Sequence, residues 1–488
     1  MLKSVQLDNF KAFSNSGLID IKPLTILCGT NSSGKSSILK SLLLLKQSFE
    51  NTSATNNVTL DGPYTQNGKM GDIIYKSCGN GFTITTSSEF ISPSKYGSMK
   101  GSNPYKQDII SFKELKKTLG TPYYSTVKMI MKMSIQVVYN SGMKSANNVI
   151  KQFDLNLSCY DKYNNLIKEP IKIVLDHKRT NIYNIIFSNF PGENGQLINS
   201  SISNCFCYFE GMRLVNAYAT KDQTIQFDMF FPKLYSFMRH AAHSFKGISN
   251  LSPLRHMPER YYFVHEDYHT VGQDGEYTPQ VIYNNIETQI ISIMPPLDGS
   301  FSFEKRQQPF YNFLESWEEY LGIGKMELKG SDTVIQLSIN NHSLVDIGFG
   351  VSQVLPILTK TLLLKQYQTL LIEQPEIHLH PKMQMNLADL FIASSQLDRN
   401  LIVETHSDHI VNRVLRRILE DTSGNLSKMI SIYFVEKTDE GSIVVPILIN
   451  PEFGFIDVPD DFFSQFSSET DAIFSACLNN KKGLSTDV

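Results

Sequence analysis

One short run of small, polar residues carries the first recognisable chemistry in this sequence. It reads Gly29-Thr30-Asn31-Ser32-Ser33-Gly34-Lys35-Ser36-Ser37, and it contains the complete G-x-x-x-x-G-K-S pattern of a phosphate loop. The two glycines allow the backbone to curl so that successive N–H groups point at a phosphate chain. Lys35 is expected to reach the β- and γ-phosphates, and the Ser36 hydroxyl is expected to help hold Mg²⁺. The run therefore predicts a site for a nucleoside triphosphate.

A second set of chemically capable residues follows two apolar runs late in the chain. The runs Thr369–Glu373 and Leu401–Glu404 each have the length and composition of a buried strand, and each ends in a carboxylate. A carboxylate at the tip of such a strand is where phosphate-loop enzymes place the group that orders Mg²⁺. The predicted magnesium ligands are therefore Ser36 and Glu373.

The elements that must position these residues can be read around them. The apolar run Leu24–Cys28 predicts the strand that a phosphate loop requires before it, and the Leu-rich segment that ends near Lys46 predicts the helix after it. Beyond Phe82, alternating segments separated by Asn, Gly and Pro predict an antiparallel β region. Its predicted strands include Met129–Tyr139, Phe153–Tyr160, Ile171–Asp176 and Asn181–Ser188.

The segments between this β region and the late carboxylates are more varied. Leu251–Tyr277 is dense in Arg, Glu, His and aromatic residues, and we interpret it as a solvated loop. Strands are predicted over Lys325–Asn340. Helices are predicted over Phe227–Ser249, Ile282–Met294 and Gln308–Leu321.

Composition limits the class of protein. The 488 residues are 41% hydrophobic and 19% charged, which is typical of a globular protein with two or three domains. The formal net charge of −3 gives no global basic field for nucleic acid. The six cysteines form no C-x-x-C pair, which argues against a zinc site or a disulfide framework and fits a reducing cytosol. Without a signal-peptide core or an apolar run of membrane length, the protein is expected to be cytoplasmic and soluble, with no membrane partner.

Four motifs occur in a fixed order, namely GTNSSGKSS, DIGFGVSQVLPIL, LLIEQPEIHLHP and LIVETHSDHI. This set resembles ABC-type ATPases of the SMC/RecF/OLD (overcoming lysogenization defect) class, over about residues 1–80 and 250–465. The segments LSPLRHMPERYY, VGQDGEY and FGFIDVPDDFF are similar to a bacterial subgroup of AAA family ATPases. The resemblance implies an α/β fold, an ABC-type P-loop ATPase head with an inserted, mainly antiparallel β plus helical region.

The same resemblance implies a division of the chain. Residues 1–81 would form the N-terminal lobe of the ATPase head with the phosphate loop, and residues 82–250 an inserted β-rich and helical region. Residues 251–450 would form the C-terminal lobe, with the signature motif, the Walker B acid, the D-loop and the switch histidine. Residues 451–488 would form a short C-terminal extension.

The resemblance also assigns roles to the matching residues, with ATP and Mg²⁺ as cofactors. Gly350, Ser352 and Gln353 fall in the signature motif GFGVSQ, which one subunit presents to the γ-phosphate bound by another. Glu373 matches the Walker B acid, and His406 matches the switch histidine that senses the γ-phosphate. Such sites work as head-to-tail ATP sandwiches, so the implied unit is a homodimer or a multiple of dimers. A metal site built from His378, His380, His406 and His409 is disfavoured, because each stands where this class has a structural or phosphate-sensing residue.

One departure from the class concerns water activation. The residue after the Walker B acid is usually a Glu that polarises the attacking water, and here it is Gln374. Glutamine can orient a water molecule but cannot accept its proton. Either Glu376 or Glu404 takes over that role, or turnover is slow and ATP acts mainly as a conformational clamp. We favour slow turnover.

Three functional hypotheses follow from the resemblance. The first is the ATPase sensor of an antiviral defence system, similar to the Septu or PARIS ATPase subunits, with a separate nuclease or toxin as effector. The second is an OLD-like enzyme that is itself a nuclease, which is disfavoured because Glu436, Asp457, Asp460 and Asp461 lack the carboxylate pattern of a TOPRIM domain. The third is a RecF-like DNA-binding repair ATPase, so DNA stays open as a partner. The first hypothesis is preferred, by analogy to the family.

Overall fold

The computed structural model describes residues 1–52, 57–77, 79–91, 116–117, 119–120, 125–139, 148–191, 196–219, 224–264, 268–296, 302–331, 333–450 and 454–456. Most of the predicted C-terminal extension, residues 451–488, lies outside these ranges. The nuclease candidates Asp457, Asp460 and Asp461 lie outside them as well.

The N-terminal strands and the middle of the chain share one antiparallel sheet, called the antiparallel sheet below. Its strand order is β11-β10-β9-β8-β7-β6-β5-β1-β2, and β3 also pairs with β1. Long alternations of buried and less buried residues, as in β6 and β7, explain why these segments form strands with one buried face. The strands are β1 Leu2–Phe10, β2 Phe13–Asn15, β3 Ile19–Asp20, β5 Gly81–Ile91, β6 Lys128–Tyr139, β7 Asn148–Tyr160, β8 Ile171–Arg179, β9 Ile182–Pro191, β10 Leu197–Glu210 and β11 Arg213–Tyr218.

This sheet joins strands from two regions of the chain that are predicted as separate. The predicted boundary between residues 81 and 82 falls inside β5, which pairs with β1 along most of its length. The predicted β-rich region therefore continues the sheet that the first strands of the chain begin.

The second large sheet, called the mixed sheet below, has the order β12-β19-β20-β4-β21-β22-β23. The run from β12 to β21 is parallel, and β22 and β23 add antiparallel strands at one side. Its strands are β4 Leu24–Gly29, β12 Ile248–Leu251, β19 Thr369–Glu373, β20 Asn400–Glu404, β21 Ile430–Thr438, β22 Gly441–Asn450 and β23 Gly454–Ile456.

The parallel strands of the mixed sheet are buried on both faces. In β4, Leu27 packs into a core shared with the antiparallel sheet, whereas Leu24 and Ile26 pack into a second core on the other face. The same alternation separates Leu371 from Leu370. Two-sided burial explains why these strands read as continuous apolar runs in the sequence.

Helices cover the two faces, and smaller sheets complete the second core. The helices are α1 Lys35–Glu50, α2 Met70–Ile73, α3 Thr224–Lys246, α4 Thr278–Asn285, α5 Phe310–Leu321, α6 Phe349–Leu363, α7 Pro381–Ser395, α8 Asp408–Glu420 and α9 Asn425–Met429. The smaller sheets use β13 Tyr262–Phe263, β14 Gln289–Ile293, β15 Lys305–Pro309, β16 Met326–Gly330, β17 Val334–Ile339 and β18 His342–Ser343. Short 3₁₀ helices span Tyr75–Ser77 and Leu344–Asp346.

One predicted helix is wrong. The segment Ile282–Met294 is helical only as far as Asn285, and Gln289–Ile293 then forms β14, paired with β15. Three isoleucines in a five-residue strand explain the difference, because β-branched side chains favour strands over helices.

The described cysteines, Cys28, Cys159, Cys205 and Cys207, are buried free thiols. Cys78 and Cys477 lie outside the described residues.

Among the helices of the described chain, none is both long enough and apolar enough to cross a bilayer.

Candidate functional site

The phosphate loop joins β4 to α1 through a sharply turned backbone. Gly29 has φ 133°, and a Cβ atom there would lie 2.1 Å from the Val435 carbonyl oxygen on neighbouring β21, so only glycine fits. Gly34, at φ 100°, is the N-cap of α1. The buried Lys35 ammonium curls back and donates to the carbonyl oxygens of Gly29 (3.0 Å) and Thr30 (2.6 Å). A phosphate chain in the loop would lie beside this cation and the N-terminus of α1.

The remaining loop residues differ in exposure. Thr30, Asn31 and Ser32 are exposed, and Ser32 has a left-handed backbone at φ 60°. Ser33 is buried, and its hydroxyl has no hydrogen-bond partner within the described residues. Ser36 and Ser37 are partly buried in the first turn of α1. The loop thus presents an exposed rim above buried polar groups.

The two carboxylate-ended strands meet the loop at one sheet edge. Glu373 and Glu404 are register partners on the parallel strands β19 and β20, and Glu404 is in turn opposite Leu27 of β4. The Ser36 hydroxyl donates to Glu404 Oε1 at 2.7 Å. The fold therefore brings Ser36, Glu373 and Glu404 together, although Glu404 rather than Glu373 accepts the Ser36 hydrogen bond.

Burial perturbs the charged groups at this edge. Desolvation raises the pKa of the Glu373 carboxyl to about 7, and the neighbouring Glu404 carboxylate adds to the rise. Desolvation also raises the pKa of Glu404, against the opposing Ser36 hydrogen bond and the Lys35 charge. Desolvation lowers the pKa of Lys35. Two carboxylates in a poorly hydrated pocket repel each other, and a cation between them would relieve that repulsion.

The donor set at the edge suits Mg²⁺. The Ser36 hydroxyl and the Glu373 and Glu404 carboxylates are oxygen ligands, which hard cations prefer. Glu404 Oε2 is buried and has no hydrogen-bond partner in the described chain, so it is able to bind a cation. No group of three or more His, Cys, Asp or Glu side chains that could hold a metal occurs among the described residues. Mg²⁺ is commonly bound by only one or two carboxylates together with nucleotide phosphates and water, so the residues fit this ion.

The segment after β19 organises the loop after β20. Gln374 has a left-handed backbone, at φ 44°, and its N–H donates to the Glu404 carbonyl oxygen at 2.8 Å. Glu376 Oε1 accepts the His406 N–H at 2.6 Å, and its Oε2 accepts the Thr405 hydroxyl at 2.8 Å. Both oxygens of Glu376 are therefore engaged in holding the loop that carries His406.

His406 lies beside the phosphate loop. Its ring is half-buried, and desolvation together with the Lys35 ammonium lowers its pKa, partly offset by a hydrogen bond with the Gly29 backbone. The imidazole is therefore neutral at pH 7. A neutral imidazole next to Lys35 can donate a hydrogen bond to a phosphate oxygen, or accept one from a group bound to the phosphate, without adding charge.

The other histidines near the site have separate partners. His378 is exposed and packs edge-to-face against Phe349, with ring centroids 5.3 Å apart. His380 is the N-cap of α7, where its Nδ1 accepts the Lys382 N–H. His409 Nδ1 lies 3.7 Å from Asp408.

The signature residues lie at the start of α6. Ser352 is buried, and its hydroxyl donates to the Phe349 carbonyl oxygen at 2.7 Å. A Cβ atom on Gly350 would lie 2.7 Å from the His378 carbonyl oxygen, so glycine allows α6 to pack against the segment after β19. Gln353 is buried. Within the described chain, no hydrogen bond joins Gly350, Ser352 or Gln353 to the phosphate loop, so the fold does not bring these residues into the same half of the site.

Arg255, in the loop interpreted as solvated, is a site residue that the sequence pattern does not indicate. Arg255 is only 6% exposed, and its guanidinium donates to the Glu373 carbonyl oxygen at 2.9 Å and to the Gln374 carbonyl oxygen at 3.4 Å. Desolvation lowers its pKa to about 10, so it stays charged at neutral pH. Arg255 thus fixes the backbone just after the carboxylate. No local pattern distinguishes it from the exposed Arg260 in the same loop, which pairs with Asp346 at 2.8 Å.

The chain resembles one protein family and solved structures of SMC heads. Residues 1–411 match a family described as "AAA ATPase domain". No curated protein matches the chain. The chain is similar to a solved structure described as "SMC head domain from Thermotoga maritima", with 12% identity, a TM-score of 0.36, and coverage of 92% of this chain and 99% of that one. It is also similar to an Smc head bound to the C-winged helix domain of ScpA, with 12% identity, a TM-score of 0.38, and coverage of 91% and 98%.

The predicted fold class is confirmed. The strand–loop–helix at β4 and α1, the parallel run of the mixed sheet and the large antiparallel sheet are the α/β head with a mainly antiparallel β and helical region that the sequence predicted. The family match adds the ATPase assignment over residues 1–411.

Proposed function

Because the chain belongs to the AAA ATPase domain family, we propose that it binds ATP with Mg²⁺ where the phosphate loop meets the ends of β19 and β20. One observation carries this proposal: the loop and both carboxylate-ended strands converge on the same edge of the mixed sheet. Ligands of open parallel sheets bind outside the carboxyl ends of the strands, because loops and helix N-termini gather there.

Different residues of the site would bind the phosphates and the cation of the nucleotide. The backbone N–H groups of the loop and the Lys35 ammonium would neutralise the phosphates. Ser36 and Glu373 would hold Mg²⁺, which would supply positive charge to the phosphates. His406, beside Lys35, would sense the γ-phosphate. Binding is thus achieved by positioning and charge, which phosphoryl-transfer sites mainly require.

Hydrolysis is expected to be slow. Gln374 cannot accept a proton from the attacking water. Glu376, the nearest alternative acid in sequence, uses both carboxylate oxygens to hold Thr405 and His406, and Glu404 holds Ser36. Because Glu376 has both oxygens occupied and Glu404 is hydrogen-bonded to Ser36 through Oε1, ATP would serve as a clamp that persists before it is cleaved.

The clamp would close between two copies of the chain. At the start of α6, Gly348 and Phe349 are exposed, and His378 lies exposed beside them. A helix N-terminus on an exposed face can bind an anion. We place the γ-phosphate held by a second copy at this point, which makes the functional unit a homodimer or a multiple of dimers.

The clamp would signal in antiviral defence. This part of the proposal is supported by analogy to the SMC/RecF/OLD class that the four ordered motifs resemble, and it includes a separate nuclease or toxin as effector. An adjacent effector gene would support it. A replication or recombination operon would instead favour the RecF-like alternative, and DNA cleavage by the purified chain would favour the OLD-like one.

One experiment tests binding and clamping together. Calorimetry with a non-hydrolysable ATP analogue and Mg²⁺ measures affinity, and analytical ultracentrifugation measures association. Lys35→Ala should abolish both, because it removes the mobile cation that contacts the phosphates. The exposed Lys365 provides a matched control, since Lys365→Ala should keep wild-type values. An unchanged affinity in Lys35→Ala would refute the phosphate-loop assignment.

The clamping half uses Gly348, the N-cap of α6. Its φ of −53° suits any residue, and a Cβ atom there would meet nothing within 4 Å. Asp and Asn are about equally good N-caps, so Gly348→Asp and Gly348→Asn differ mainly in charge. Gly348→Asp should bind the analogue normally but lose nucleotide-dependent dimers, because its carboxylate repels the partner-bound γ-phosphate. Equal dimerisation by both variants would refute the clamp and leave the nucleotide site intact.

A further inference from the structure

Glu404 is the most deeply buried acid at the candidate site and the one with an unexplained oxygen. It ends β20 between β19 and β4, and it is 3% exposed. Its Oε1 accepts the Ser36 hydroxyl at 2.7 Å. Its Oε2 is buried and makes no hydrogen bond to any described residue.

An unpaired carboxylate oxygen in such a place is costly. Burying an ionised oxygen without a partner sacrifices its hydration, and proteins normally compensate with a donor, a counter-ion or a metal. Lys35 donates instead to the carbonyl oxygens of Gly29 and Thr30. The unpaired oxygen therefore points to a ligand that arrives with the substrate.

The position of Ser36 identifies that ligand. In phosphate-loop enzymes the Ser or Thr after the Lys contacts the cation of the bound nucleotide. A carboxylate that accepts a hydrogen bond from this hydroxyl therefore lies close to the position of the cation. Glu373, on the neighbouring strand, lies in register with Glu404, so the two acids can serve the same ion.

We propose that Glu404 is part of the cation site, so that the divalent ion of the nucleotide is held by two strand-end carboxylates, Glu373 and Glu404, together with Ser36. This inference rests on the proposed function, because it requires a nucleotide-bound cation at Ser36. It distinguishes Glu404 from a general base, whose removal would slow hydrolysis without weakening metal-dependent binding.

The test compares nucleotide binding with and without the cation, and therefore needs no turnover. Calorimetry with a non-hydrolysable ATP analogue is run in excess Mg²⁺ and in EDTA, and Mn²⁺ binding to the nucleotide complex is followed by electron paramagnetic resonance. Glu404→Gln keeps the size of the side chain and an oxygen that can accept from Ser36, but removes the charge. It should weaken binding about 10–100-fold in Mg²⁺ and leave the affinity in EDTA unchanged or higher.

Glu318→Gln is the matched control. Glu318 is also a buried carboxyl, 2% exposed, with an oxygen that has no hydrogen-bond partner in the described chain, but it lies on α5 away from the phosphate loop. This variant should keep the wild-type ratio of Mg²⁺ to EDTA affinities. If Glu404→Gln does not fold, Glu404→Asp provides the same test. The shorter side chain keeps the charge but moves it away from Ser36, so this variant should also lose Mn²⁺ affinity.

The outcomes separate this inference from the proposed function. A wild-type chain that binds no analogue in either buffer would overturn the proposed function and this inference with it. Normal Mg²⁺-dependent binding in wild type, with an unchanged Mg²⁺ to EDTA ratio in Glu404→Gln, would overturn the role of Glu404 alone. Loss of Mg²⁺-dependent and Mn²⁺ binding in Glu404→Gln but not in Glu318→Gln would support it.

Discussion

The two large sheets of this molecule differ in what their strand ends can do. In the mixed sheet, neighbouring parallel strands end at the same edge, so Gly29, Glu373 and Glu404 come together although they are far apart in sequence. In the antiparallel sheet, neighbouring strands such as β7, β8 and β9 end at alternating edges, and the buried face is filled by apolar side chains such as Phe153 and Phe187. Parallel pairing concentrates polar strand ends, whereas antiparallel pairing disperses them.

One helix connects the two sheets. The phosphate loop opens α1, and the buried side of α1, including Leu39 and Leu42, belongs to the same core as Phe153 and Phe187. The antiparallel sheet is thus the packing support behind the phosphate loop. The comparison predicts that the two sheets respond differently to mutation, one in stability and the other in nucleotide chemistry.

The largest expected effect is on the stability of the antiparallel sheet. Phe187 is fully buried, stacks on Phe230 at 4.6 Å and meets Phe190 edge-on at 5.0 Å. Phe187→Ala should lower the free energy of unfolding by about 3–5 kcal/mol, because it leaves a cavity. Its neighbour Ile186 faces solvent and is 43% exposed, so Ile186→Ala should cost about 1 kcal/mol or less.

Urea unfolding measures both variants, and calorimetry with an ATP analogue measures their nucleotide affinity. The comparison predicts unchanged affinity in folded Phe187→Ala. A folded variant with weakened nucleotide binding would contradict this difference between the sheets, since it would show that the antiparallel sheet controls the site through α1.

A smaller effect is expected on catalysis at the edge of the mixed sheet. Gln374→Glu places a proton acceptor directly after Glu373. General-base help is typically worth roughly 10²-fold or more, so steady-state hydrolysis should rise by about that factor. A phosphate-release assay compares wild type, Gln374→Glu, Glu376→Ala and Glu404→Ala. Slower turnover in Gln374→Glu, with a large loss in Glu376→Ala or Glu404→Ala at unchanged Mg²⁺-dependent analogue affinity, would show that another acid is the base and that the clamp interpretation is wrong.

The smallest effect tests whether a perturbed pKa alone marks the site. Burial raises the pKa of Glu318 on α5 to about 8, which exceeds the value of about 7 for Glu373. The folded state therefore holds a proton that the unfolded state releases near its ordinary pKa of 4.5. The stability from this group is fully present below that pH and is lost as pH rises toward about 8.

The midpoint of thermal unfolding from pH 5 to pH 8.5 should fall less steeply in Glu318→Gln than in wild type. Nucleotide binding should not change. Identical slopes would show that Glu318 is ionised in the folded protein. The expected result would separate two effects of the fold. Burial perturbs the pKa of many groups, whereas the convergence of strand ends builds the site.

The phosphate loop was fully predictable because its chemistry is local. The pattern from Gly29 to Ser36 specifies a turn and a helix start within a few residues, and the structure shows both. The strands ending in Glu373 and Glu404 are equally predictable from the sequence, since strands buried on both faces are apolar throughout. The apolar residues of Ile282–Met294 fit both the 3.6-residue period of a helix and the two-residue period of a strand. The strand over Gln289–Ile293 is determined by its pairing with Lys305–Pro309.

Tertiary structure decided which of these residues meet. Ser36 and Glu404 are 368 positions apart, and their hydrogen bond depends on β20 lying between β19 and β4, an order that no local pattern encodes. The burial of Arg255 against the Glu373 carbonyl oxygen likewise depends on how a loop folds over a strand end. Local sequence fixes backbone preferences over a few residues, because the forces that act there are steric and hydrogen-bonding. Strand order is set by burial over the whole chain, so the partners of a strand-end carboxylate become known only from the assembled sheet.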